Sequence, residues 1–159
     1  MREALLIIDV QNDYFTGGKC ELYQPEQTLE SIGNTLTYFR ENNYPVFFIQ
    51  HISPSNATFF IPNTEGVEIH KKITPLESEQ VIIKHTPNSF FDTELQHELQ
   101  KLSITNLVVC GMMTHMCVDT TVRAARYMGY QVTLLSDTCT TKDLEWNGSK
   151  IPANIVQDV

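Results

Sequence analysis

Short, almost continuously apolar runs alternate along the chain with segments whose apolar residues recur every three or four positions. The runs are ALLII (4–8), PVFFIQ (45–50), VII (81–83), LVVC (107–110) and VTLL (132–135). Their length and composition predict strands buried on both faces of a parallel sheet. Between them, Leu29, Ile32, Leu36 and Phe39 mark one helical face. Leu95, Leu99 and Leu102 mark another, behind an Asp92 cap. Residues 115–128 are helix-compatible too, and Gly129 is placed to stop that helix. The alternation predicts a doubly wound α/β fold, a mainly parallel sheet of about five or six strands with helices on both faces. One domain over residues 1–159 is expected. The connection from 51 to 80 carries Pro54, Pro62, Gly66 and Pro75 and is too long for a simple link. It predicts a functional cover or a pocket wall.

Composition narrows the partners. A net charge of −8 and the lack of any basic run argue against nucleic acid, whose phosphates need clustered Lys and Arg. No apolar run reaches the roughly 18 residues of a membrane span. ALLII is interrupted by Asp9 and lacks a small-residue cleavage site, so no signal peptide is expected. Four cysteines (Cys20, Cys110, Cys117, Cys139) occur without a CxxC pair. That pattern predicts reduced thiols in a cytoplasm rather than a disulfide framework.

Three of the predicted strands lead into a reactive side chain. The first runs into Asp9, the third into Lys84, and the fourth through Cys110 and Gly111 towards Cys117. In open α/β sheets, ligands bind outside the carboxyl ends of the strands, where these three would meet. With Thr114 as N-cap, Cys117 is the third residue of its helix. The positive end of the helix and Lys84 would then draw its thiol below the ordinary value. Asp9 could move the proton. A zinc site from Cys110, His115 and Cys117 matches no common spacing and lacks a fourth ligand. His115 is a poor base for Cys117, because residues two apart on a helix face away from each other. Cys110 and Cys139 read as packing. Candidate pocket residues are Phe15, His51, His70, Phe90, Met113, His115 and Trp146; Met112 and Met116 could pack or line the same space.

The stretches LLIIDVQNDYF, VIIKHTPNSFFDTEL and LVVCGMMTHMCVDTTVRAA together resemble the isochorismatase-like cysteine hydrolases. That superfamily includes nicotinamidases and N-carbamoylsarcosine amidohydrolases. The resemblance implies a six-stranded parallel sheet and an Asp–Lys–Cys triad. Asp9 would be the general acid and base, Lys84 the charge partner and Cys117 the nucleophile. It also implies a cis peptide between Met112 and Met113, and an oxyanion hole made by the backbone N–H groups of Met113 and Cys117.

Two departures from the family pattern carry expectations of their own. In QHISP, His51 and Ser53 stand where nicotinamidases carry an Asp-x-His metal dyad, so a site without metal or cofactor is expected. The chain stops at IPANIVQDV, where the family continues through a last helix into a sixth strand. Siderophore-type isochorismatases cleave a vinyl ether without the cysteine, so Cys117 points instead to amide or ureido hydrolysis. The resulting expectation is a cytoplasmic, homo-oligomeric hydrolase of a small amide. The rivals are vinyl-ether hydrolysis with Asp9 as acid, and a redox-sensing or ligand-binding protein built on Cys117.

Overall fold

Five strands lie parallel in one sheet in the order β3-β2-β1-β4-β5. They are β1 (Glu3–Ile8), β2 (Val46–His51), β3 (Gln80–Lys84), β4 (Asn106–Met112) and β5 (Gln131–Thr140). The computed structural model describes residues 2–159. Helix α1 (Pro25–Glu41) covers one face; α2 (Leu95–Lys101) and α3 (Asp119–Tyr127) cover the other. The pleat sorts the side chains of β1. Leu5 and Ile7 pack towards α1 with Ile32, Leu36 and Phe48. Ala4, Leu6 and Ile8 pack with Leu95, Leu99 and Ala125. Each such aliphatic side chain removed from water contributes about 2 kcal/mol. The central strand is therefore apolar on both faces, as its sequence predicts.

The edges of the sheet differ from that prediction. β3 is an edge strand with Val81 and Ile83 each 40% exposed, so it is not buried on both faces. β5 runs on through Thr140, beyond the apolar VTLL. Its polar end is buried because Cys139 and Thr140 lie beside Gly111 and Met112 of β4. The sheet has five strands, and β5 is its other edge. A separate antiparallel hairpin follows, β6 (Leu144–Trp146) with β7 (Ser149–Ile151), then the short helix α4 (Ala153–Asp158). Among the described residues, no helix is long and apolar enough to cross a membrane.

Two helix ends also depart from the reading. Asp92 has φ +53° and precedes α2 without capping it; Glu94 is the N-cap and the Leu95 N–H reaches the Thr93 hydroxyl at 3.4 Å. Gly129 does close α3, with φ +93° just beyond its last turn. On the α1 face, the β2–β3 connection supplies no long helix. It lays Phe60, Val67 and Ile73 into the core and turns through two short 3₁₀ segments, Glu65–Val67 and Lys71–Ile73. This is the cover that the Pro- and Gly-containing stretch predicts.

Candidate active site

The carboxyl ends of β1, β3 and β4 bring their polar residues to one point. β1 ends where Asp9 turns out of the strand with φ +52°, a left-handed conformation that Asp tolerates better than most residues. Gly111 makes this possible from the neighbouring strand. It pairs with Ile8 at φ +127°, and a Cβ there would collide with the Ile8 carbonyl oxygen. β3 ends at Lys84, beside His51 in register on β2. After β4, the Met112–Met113 peptide is cis, as the resemblance implies. The chain then enters a wide helical turn over Thr114–Val118, in which the Val118 N–H donates to the Met113 carbonyl five residues back. This turn runs directly into α3.

Thr114 does not cap the helix: Met113 is the N-cap, and the Thr114 hydroxyl donates instead to Gln157 Oε1 at 2.6 Å. Cys117 is accordingly one residue deeper in the helical segment than the reading has it. Its sulfur comes within 3.2 Å of Lys84 Nζ. The same ammonium lies 2.8 Å from Asp9 Oδ2 and 2.9 Å from His51 Nδ1, and donates to the Thr86 carbonyl at 3.0 Å. Asp9 and Lys84 are wholly buried, and Cys117 is 6% exposed.

An ammonium has three protons, and three aligned acceptors surround it: His51 Nδ1, the Thr86 carbonyl and Cys117 Sγ. Asp9 meets the charge off those directions. Neither of its oxygens accepts an aligned hydrogen bond, although both are buried. Burial raises the Asp9 pKa above the ordinary carboxylate value, the Lys84 charge opposing it only in part. The thiol moves the opposite way from its expected shift. Burial first, then the Asp9 charge, push Cys117 up to about 12, and Lys84 does not compensate. The expected lowering is overturned because desolvation in this buried site, with Asp9 beside the thiol, outweighs the Lys84 charge.

The backbone of this cluster is held by a residue that sequence reasoning passed over. Gln11, fully buried, accepts from the His51 N–H and donates to the His51 carbonyl, both at 2.8 Å, and donates to the Val67 carbonyl at 2.7 Å. Its signal in the sequence is a polar residue two places beyond Asp9. Thr86 contributes a carbonyl, which no side-chain pattern announces.

The other pocket candidates are distributed unevenly. Phe15 packs its ring on His70 at 4.4 Å, and His70 Nδ1 accepts from the Lys72 N–H. Met113 is buried in the same core cluster as Phe15. His115 Nδ1 is 2.6 Å from the Thr141 hydroxyl. Phe90 stacks on Tyr130 in the same buried core cluster as Cys117, and Trp146 stands on the hairpin 80% exposed. A cavity of about 600 Å³ lies between α3, β5, the hairpin and α4, lined by His115, Arg123, Leu134 and Ile155 among others. None of Asp9, Lys84 and Cys117 lines it.

Asp9, His51 and Cys117 each offer a ligand atom within 4.8 Å of the others, close enough to hold a metal ion. Lys84 Nζ, however, lies 2.8–3.2 Å from all three residues and supplies the cation at their centre. The donor set therefore does not fit a metal at that position while Lys84 is there.

Comparison with known proteins shows the family to which this fold belongs. The model of the isochorismatase domain matches residues 3–150. The chain belongs to the isochorismatase family. An isochorismatase-family protein of Bacillus subtilis, YddQ, is 50% identical over 157 residues, 98% of this chain and 87% of that one. Nicotinamidase 3 of Arabidopsis thaliana is 28% identical over 151 residues, covering 87% and 73%. The crystal structure of an isochorismatase from Pseudomonas putida superposes with a TM-score of 0.93 at 34% identity, covering 99% and 80%. The protein is thus an isochorismatase-family hydrolase, related to amidases such as nicotinamidase, and its fold is the family's α/β fold.

Proposed function

We propose that this hydrolase cleaves small amide or ureido C–N bonds through a thioester on Cys117. The reading rests on one observation, the buried contact of a single ammonium, Lys84, with both a carboxylate and a thiol. The Cys117 thiol passes its proton to Asp9 as sulfur attacks the carbonyl carbon, so no free thiolate has to accumulate. The oxyanion is received by the N–H groups of Met113 and Cys117. Asp9 then returns the proton to the leaving nitrogen, the C–N bond breaks, and ammonia or an amine departs. Water, deprotonated by Asp9, attacks the thioester; the C–S bond breaks and the proton goes back to sulfur. Lys84 holds the site's charge balance throughout. Two things support amide chemistry over ether cleavage: the presence of the thiol, and the kinship with an enzyme named nicotinamidase.

Hydrolysis of a panel of primary amides and ureido compounds, with mass spectrometry of the trapped enzyme, tests the reading. An acyl adduct on Cys117 is expected, with turnover lost in Cys117→Ala and Cys117→Ser and kept in Cys110→Ala. Turnover above a few per cent in Cys117→Ala would overturn the covalent route, and oxidation of Cys117 without any acyl adduct would favour a sensor.

A further inference from the structure

We propose that His51 is the fourth member of the cluster, a neutral imidazole that orients Lys84 through Nδ1 and presents Nε2–H to the bound substrate. The word "substrate" rests on the amide hydrolase reading above; the protonation state and the orientation of Lys84 do not. An ammonium nitrogen has no lone pair. Its 2.9 Å contact with His51 Nδ1 is therefore a hydrogen bond only when Nδ1 is unprotonated, which puts the ring proton on Nε2. His51 is only partly buried, and its hydrogen bond to Lys84 occupies Nδ1 alone.

The surroundings keep the ring neutral. Lys84 faces it from the end of β3, and His85, the residue after that strand, adds a second repulsive group. Asp9 and Cys117 come from β1 and the turn after β4, and their ligand atoms lie within 4.8 Å of that of His51. The Phe60 ring of the cover stands 6.0 Å from the imidazole, centroid to centroid. Burial first, then Lys84 and His85, lower His51 to about 4. A ring turned over about its Cβ–Cγ bond would set a C–H against Lys84 and lose the Nδ1 hydrogen bond, while Gln11 holds the His51 backbone in place. The consequence for specificity is chemical: a fixed N–H donor beside the nucleophile selects substrates with a hydrogen-bond acceptor next to the scissile carbonyl.

Two-bond ¹H–¹⁵N correlation of the ring nitrogens in the intact protein, with His51 assigned by its loss in His51→Gln, reads this directly. The expected pattern is the neutral Nε2–H form, unchanged between pH 5 and 8. A cationic pattern in that range, or the Nδ1–H form, would overturn the proposal whether or not the protein hydrolyses amides. A pair of variants tests the division of labour. His51→Asn places a polar atom near Nδ1 and none at Nε2, and is expected to raise KM by about tenfold with kcat within about threefold. His51→Gln reaches towards Nε2 and gives up the Nδ1 contact, and is expected to lower kcat by about tenfold with KM little changed. Equal losses of both parameters in both variants would mean that His51 is only structural.

Discussion

At Cys117 one ammonium faces two acids. Lys84 balances a single negative charge, so Asp9 and Cys117 together hold one proton over a wide pH range. Without substrate, alkylation of Cys117 should therefore keep rising with pH past 9, with no inflection at the free-thiol value of about 8.5. In Lys84→Met, which removes the neighbouring charge that favours the thiolate, alkylation should be slower at every pH. A plateau near neutrality in the wild-type chain would contradict the charge count. Asp9 must be ionised to take the thiol proton, and burial raises its pKa. The kcat/KM profile should accordingly fall as pH drops through a value above the ordinary carboxylate range of about 3.9. At this scale the three residues that meet were legible, because Asp9 and Lys84 each follow an apolar run and Cys117 lies on the turn beyond a third. The sign of the thiol's shift was not, since it depends on how completely the cover and the core exclude water.

Among the elements, the β2–β3 connection does the work of a helix, and one carboxylate docks it. Asp13 is 3% exposed and accepts from the Phe60 N–H at 2.7 Å and the Lys19 N–H at 3.2 Å. Gly66 lies so close to that carboxylate that any side chain there would collide with it. Asp13→Ala strands both donors and should cost about 2–4 kcal/mol, a fall in Tm of about 10 °C. Limited proteolysis should then cut first within residues 52–79. An unchanged Tm and an unchanged cleavage pattern would show that the cover is held by its apolar contacts alone, through Phe60, Val67 and Ile73. The length and Pro content of the stretch announced a cover. Its anchor could not be read from the sequence, because Asp13 and Phe60 lie 47 residues apart and meet only in the folded chain.

For the molecule as a whole, the built-in cation carries a prediction about metals. Lys84 lies within hydrogen-bonding distance of the atoms an ion would need, so exhaustive chelation should leave turnover unchanged and elemental analysis should find no stoichiometric zinc, iron or manganese. Loss of turnover on chelation, restored by one added metal, would show that Lys84 moves aside and that His51 is a ligand. The amino-acid sequence by itself determined the layered α/β architecture and the edge of the sheet at which chemistry collects. Apolar period and strand-end residues are local properties, and local order survives without knowledge of neighbours. Tertiary structure decided what depends on crossing the chain. It made β3 an edge strand, drew polar Cys139 and Thr140 into β5, and left Trp146 exposed on the hairpin. It also joined His51 to Lys84 between neighbouring strands and buried the ammonium completely. Desolvation and charge balance are set by everything around a group at once, and only the packed fold specifies that surrounding.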